Sequence, residues 1–144
     1  MTEKEYEITD QLSAEEYMEM RLGAGWKEFP IEQAQIGLQN TSILCCIRKD
    51  GRPIAFGRVV SDHGYVAYIA DVIVRPEYQG QGLGRTIMNR LISEIRAGLK
   101  PGYKVMITLM AATGKEAFYE KFGFTKRPDE THGCGMHQWI EATC

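Results

Sequence analysis

The run VIVRPEYQGQGLG, Val72 to Gly84, constrains this chain more than any other stretch. An apolar strand candidate passes through a proline-marked turn into three glycines at alternate positions, Gly80, Gly82 and Gly84. RTIMNRLISEIRAGL follows directly. With Leu83, Ile87, Leu91 and Ile95 four residues apart, that segment reads as an amphipathic helix from about Leu83 to Gly98. A helix N-terminus leaves unpaired N–H groups and a partial positive charge pointing outward. Glycines remove the Cβ atoms that would keep an anion away, and Arg75 and Arg85 add positive charge nearby. The spacing therefore suggests a backbone cradle for phosphate. A tight strand–helix connection with no ligand has the same local appearance. A nucleotide P-loop is excluded, because counting from Gly80 its second glycine falls on Arg85. The dinucleotide pattern G-x-G-x-x-G fails at the same residue.

The rest of the chain supplies a mixed α/β setting for this turn. YEIT (Tyr6 to Thr9) predicts a short first strand, and Ser13 with Glu16 forms a capping box opening AEEYMEMRL. Gly23 and Gly25 end that helix, and Pro30 opens a second, PIEQAQIGLQN. Three antiparallel strands follow, turning at Asp50-Gly51 and at Asp62 to Gly64. After the central helix, YKVMITLM predicts a buried strand, GKEAFYEKFGF a short helix ending at Gly123, and GMHQWIE a last strand. The expected order is β-α-α-β-β-β-α-β-α-β, a mixed sheet with helices packed against it. With 144 residues, it is expected to be one domain, 1–144.

Net charge −2 argues against nucleic acid or an acidic membrane as partner. No apolar run approaches the roughly 18 residues of a membrane span. The polar start MTEKEYEITD is not a signal peptide. Cys45, Cys46, Cys134 and Cys144 follow no disulfide spacing, which predicts reduced thiols in the cytoplasm. Of adjacent Cys45 and Cys46, one is expected to face the core.

Gln79-x-x-Gly82-x-Gly84, between an apolar strand and a helix, resembles the Q/R-x-x-G-x-G/A signature of the GNAT family, the GCN5-related N-acetyltransferases. EAFYEKFGF, Glu116 to Phe124, is similar to that family's second landmark, and the likeness runs from Tyr6 to Glu141. The resemblance implies an acyltransferase that moves an acetyl group from acetyl-CoA to a primary amine, with no metal. The cofactor would lie where ADVIV and VMITLM splay apart, with Val72, Ile73 and Val74 pairing with the pantetheine arm like an added strand. The turn Gln79, Gly80, Gln81, Gly82, Leu83, Gly84 and Arg85 would hold the pyrophosphate, and the amide of Val72 or Ile73 would stabilise the oxyanion.

For the chemistry, the resemblance points to Tyr119 as the acid that protonates the departing thiolate; packing beside Phe118 and Phe122 is the other reading. Asp71 is the candidate base, and a strand-end aspartate pairing with Arg58 is its alternative. Two departures stand out. Many relatives carry an Asn where this chain has Ala112, and the glucosamine-phosphate branch an acidic residue where it has Met110, which disfavours a sugar phosphate. Trp26 and Phe29 in GAGWKEFP would wall the amine site or simply pack. The cluster His132, Cys134 and His137 reads as a glycine-rich bend rather than a zinc site, and Met18, Met20 and Met136 as core or pocket lining. The expected partner is a small-molecule amine, with a homodimer left open. A non-catalytic acyl-CoA-binding module and a protein-modifying acetyltransferase are the alternatives.

Overall fold

The computed structural model describes residues 5–143; Cys144 and the first four residues of the polar start lie outside them. The chain divides into a larger compact unit ending at Leu109 and a smaller one beginning at Met110. The larger unit runs β1 (Glu7–Thr9), α1 (Ala14–Gly23), α2 (Ile31–Gln39), β2 (Ile43–Lys49), β3 (Arg52–Ser61), β4 (Val66–Val74), a 3₁₀ turn (Pro76–Tyr78), α3 (Leu83–Ala97) and β5 (Met106–Leu109). The smaller unit carries α4 (Glu116–Glu120).

Local chemistry accounts for the element boundaries. Ser13 Oγ accepts from the Glu16 amide at 3.1 Å, and Glu16 Oε1 accepts from the Ser13 amide at 3.0 Å, which is the capping box expected from sequence. Arg48 then grips the same carboxylate with both terminal nitrogens at 2.8 Å. That bidentate contact, helped by Ser13, holds the Glu16 carboxyl at about 2. At the β2–β3 turn Asp50 and Gly51 both have positive φ, 52° and 78°, the twist-matched geometry of a tight hairpin. The Asp62 carboxylate accepts from the Gly64 amide at 2.8 Å, closing the β3–β4 reversal.

The sheet order is β1-β2-β3-β4-β5. Its first three pairings are antiparallel; β4 and β5 are parallel, which requires a crossover, and α3 supplies it. Against one face pack Tyr17, Met18 and Met20 of α1 and Ala34 of α2, meeting Cys46, Phe56 and Ile73. The other face receives α3, whose Leu83, Ile87, Leu91 and Ile95 are all buried as the four-residue spacing predicts. Gly57 sets how closely α3 lies on β3. A Cβ there would come 2.5 Å from Ile87 Cγ2 and 3.0 Å from Leu91 Cδ1. Helices on both faces explain why Cys45 and Cys46 are both buried, although neighbours on a strand point opposite ways.

Three expectations are corrected. β5 is shorter than YKVMITLM and only partly buried, with Met106 41% exposed, because an edge strand has a neighbour on one side only. GMHQWIE forms no strand, so the observed order lacks the final β. Ahead of it Asp129 bends the chain by accepting from the amides of Thr131 and His132. Met136, expected as core or pocket lining, is 87% exposed, whereas Met18 and Met20 are buried.

Candidate active site

The site begins with an interruption in the sheet. β4 pairs with β5 only from Val66 to Ile69, yet continues along β3 to Val74. At the point of divergence Asp71 pairs with Arg58 while Ile69 pairs with Val59, leaving Ala70 as an extra residue. This bulge turns Asp71 and Ile73 to the α1–α2 face and Ile69 to the α3 face. Beyond it, Val72, Ile73 and Val74 have no β5 partner. An extended ligand pairing with β4 would need such an unpaired stretch of strand.

The glycine turn stands at the end of the same strand. Gly80 and Gly82 have φ of 81° and 84°, left-handed values that favour glycine. A Cβ on either would meet no atom within 4 Å, so both open outward. Gly82 caps α3 with no side-chain bond, and the ladder starts with the Thr86 amide donating to the Gly82 carbonyl at 3.1 Å. The amides of Leu83, Gly84 and Arg85 lie ahead of that first rung. Leu83 buries its side chain and anchors the helix, while Arg85 stays exposed. Gln79 ties the turn to its strand, its amide donating to the Val74 carbonyl at 3.1 Å. Gln81 Oε1 accepts from the Tyr6 hydroxyl at 3.0 Å. Arg75 contributes less than its sequence position implied: its guanidinium is buried on the Pro53 carbonyl at 2.6 Å and Glu19 at 2.8 Å. Uncapped amides, glycines at 80 and 82 and the exposed Arg85 give this corner the chemistry of an anion site.

Asp71 occupies the bulge as part of a buried cluster. Its oxygens accept from Arg58 Nε at 2.6 Å, the Tyr17 hydroxyl at 2.8 Å and Arg21 Nη1 at 3.1 Å. Burial, then the Asp71 charge, raises the Tyr17 phenol, which stays a proton-bearing donor. Trp26 and Phe29 come together around Arg21, whose guanidinium lies 5.4 Å and 4.6 Å from their ring centres. Pairing of Asp71 with Arg58 is the alternative the sequence offered to a base role, and the two are register partners on β4 and β3. Tyr17 and Arg21 were not foreseen, although their four-residue spacing on α1 places them on one face.

In the smaller unit, Tyr119 sits on α4 with its ring edge-on to Phe118 at 5.0 Å and to Phe124 at 6.3 Å. The helix ends at Glu120 with Lys121 as its C-cap, short of the end expected at Gly123, which takes a left-handed φ of 94° in the turn that follows. Burial pushes the Tyr119 phenol above its usual value. His132 leans on Asp129, Nδ1 to Oδ1 at 2.9 Å. Among the described residues no group of three or more His, Cys, Asp or Glu side chains is placed to hold a metal ion. Nor is any helix there long and apolar enough to cross a membrane.

Known proteins resemble this chain in sequence and in fold. An uncharacterized N-acetyltransferase, ycf52, of Pyropia yezoensis is 36% identical over 113 residues, covering 76% of this chain and 63% of that protein. The chloroplastic serotonin N-acetyltransferase 2 of Oryza sativa subsp. japonica is 37% identical over 89 residues, 61% of this chain and 42% of that one. The chain thus spans less than two thirds of the length of these curated relatives. A crystal structure of a Staphylococcus aureus protein of unknown function superposes with a TM-score of 0.84 at 31% identity, covering 94% of this chain and all of the other, 100%. Since the sequence profile of the Acetyltransferase (GNAT) family matches residues 7–124, bracketing the open β4 edge, the glycine turn and Tyr119, the chain belongs to that family.

Proposed function

We propose that this chain transfers the acetyl group of acetyl-CoA to the nitrogen of a primary amine, a small molecule, by direct attack. One observation carries the reading: an uncapped helix N-terminus with two left-handed glycines stands at the end of a strand edge that has lost its neighbour. Val72, Ile73 and Val74 would hold the pantetheine arm, and the amides from Gly80 to Arg85 the diphosphate. When bound, acetyl-CoA supplies an acyl group activated as a thioester. The Val72 or Ile73 amide is the donor for the oxyanion. Tyr119 would give the proton at its phenol oxygen to the departing thiolate, and the proton shed by the attacking nitrogen would pass through water to restore the phenol. Because the family profile runs across the boundary at Leu109, the two compact units are read as one acetyltransferase domain. Free thiols at Cys45, Cys46 and Cys134 suit a reducing compartment, the cytoplasm or, as for the chloroplastic rice relative, a plastid.

The acceptor is addressed by the aromatic pair Trp26 and Phe29 and by the relative that acetylates serotonin. The relative favours an arylalkylamine over a sugar phosphate, while the rings of Trp26 and Phe29 are engaged with Arg21 and the core. Thiol release from acetyl-CoA, followed across arylalkylamines, polyamines, amino sugars, amino acids and peptides, tests the reading. The expected result is amine-dependent release led by a small amine. Coenzyme A binding with no release against any amine would leave a non-catalytic acyl-CoA-binding module instead, and preference for peptides would make the substrate a protein.

A further inference from the structure

Asp71 gathers separate parts of the larger unit at the point where β4 leaves β5. Arg21, held by one carboxylate oxygen, donates through Nε to the Lys27 carbonyl at 3.2 Å and stacks its guanidinium against Phe29 and Trp26. The connection between α1 and α2, residues 24–30, is thereby fastened to the strand edge. Arg58, held by the other oxygen, donates through Nη1 to Thr41 Oγ1 at 3.0 Å and to the Gly37 carbonyl at 3.4 Å. The end of α2 is fastened too. Val72, the first residue of the open edge, is the next residue along the chain.

The geometry suits anchoring better than proton transfer. A carboxylate offers about four acceptor positions. Three are taken by Arg21, Arg58 and Tyr17, and Asp71 is 5% exposed. An incoming ammonium would find one acceptor position left, on a carboxylate almost closed to solvent. Buried charge clusters contribute little net stability, because desolvation offsets attraction, and their best-attested use is to specify one arrangement.

We infer that Asp71 is a positioning residue, which through Arg21 and Arg58 locks the 24–30 connection and the α2 end onto the cofactor-pairing edge and so fixes the acceptor's approach. The inference rests on the transfer reaction proposed above. Its test uses Asp71→Asn, Arg21→Gln and the double variant, with two readouts. In the ligand-free protein, amide hydrogen exchange of residues 24–30 is expected to quicken about tenfold or more in either single variant while α3 stays protected. With the best amine of the thiol-release panel, acceptor KM is expected to rise roughly tenfold, as for one lost charge-assisted hydrogen bond. Turnover should stay within about threefold and its pH profile unmoved, and the double variant should be no worse than either single one. A proton acceptor would behave otherwise: Asp71→Asn would abolish turnover, and Arg21→Gln, which keeps the carboxylate, would leave acceptor KM unchanged. That pattern, or unaltered exchange in the connection, overturns the inference. Should Asp71→Asn fail to fold, Arg21→Gln decides alone, since it keeps the carboxylate. If the wild type acetylates no amine, the transfer reading falls and the exchange result still decides the anchoring.

Discussion

Tyr119→Phe is expected to slow acetyl transfer by roughly 10- to 10⁴-fold with near-normal binding of acetyl-CoA. The substitution removes one oxygen and keeps the ring, so the edge-on contacts with Phe118 and Phe124 survive and the helix has no reason to unfold. What is lost is a proton source. A free thiol titrates near 8.5 and a phenol near 10, so proton donation to the thiolate is uphill by about 2 kcal/mol. That is small beside a typical barrier. Burial raises the Tyr119 phenol further, which keeps it fully protonated at neutral pH. A thiolate leaving into equally dry surroundings would be raised as well, and the gap stays modest. Saturating turnover measured by thiol release, with binding measured separately by calorimetry, separates the two effects. An unchanged rate would remove Tyr119 from the chemistry.

Gly82→Val is expected to abolish coenzyme A binding, weakening it by at least about 100-fold, in a protein that still folds. At φ 84° a side chain is strained, costing about 1–2 kcal/mol, which a domain of ordinary stability tolerates. The outward side of Gly82 is open, so apart from the local backbone strain a Cβ there meets no other part of the protein within 4 Å. The valine methyl groups would instead occupy the approach to the Leu83, Gly84 and Arg85 amides. Melting and titration on the same sample distinguish misfolding from exclusion. A folded variant with wild-type affinity would refute the cradle.

How much of this could be read from sequence depended on how local each feature is. Ser13 and Glu16 are three residues apart, Asp50 and Gly51 are adjacent, and the α3 stripe repeats every four residues; all three stand as expected. The glycine turn belongs with them. Features set by distant pairing were not legible. Nothing in VMITLM says that β5 stops opposite Ile69, and nothing near Ala70 announces a bulge, because register belongs to two strands at once. Asp71 meets Tyr17, Arg21 and Arg58 across 54, 50 and 13 residues, so only the strand neighbour was foreseeable. Arg75 sits beside the turn in sequence yet turns inward to Glu19 and Pro53. GMHQWIE, expected as a last strand, finds no ladder partner, and a short segment cannot announce by itself whether one exists.

The most direct measurement is a crystal structure of the protein grown with coenzyme A. Diphosphate oxygens should rest on main-chain nitrogens between Gly80 and Arg85, with the pantetheine amides paired to β4 from Val72 to Val74. Coenzyme A bound elsewhere, or a helix start filled by the protein's own side chains while ligand is in excess, would contradict the assignment of this corner as the acyl-carrier site.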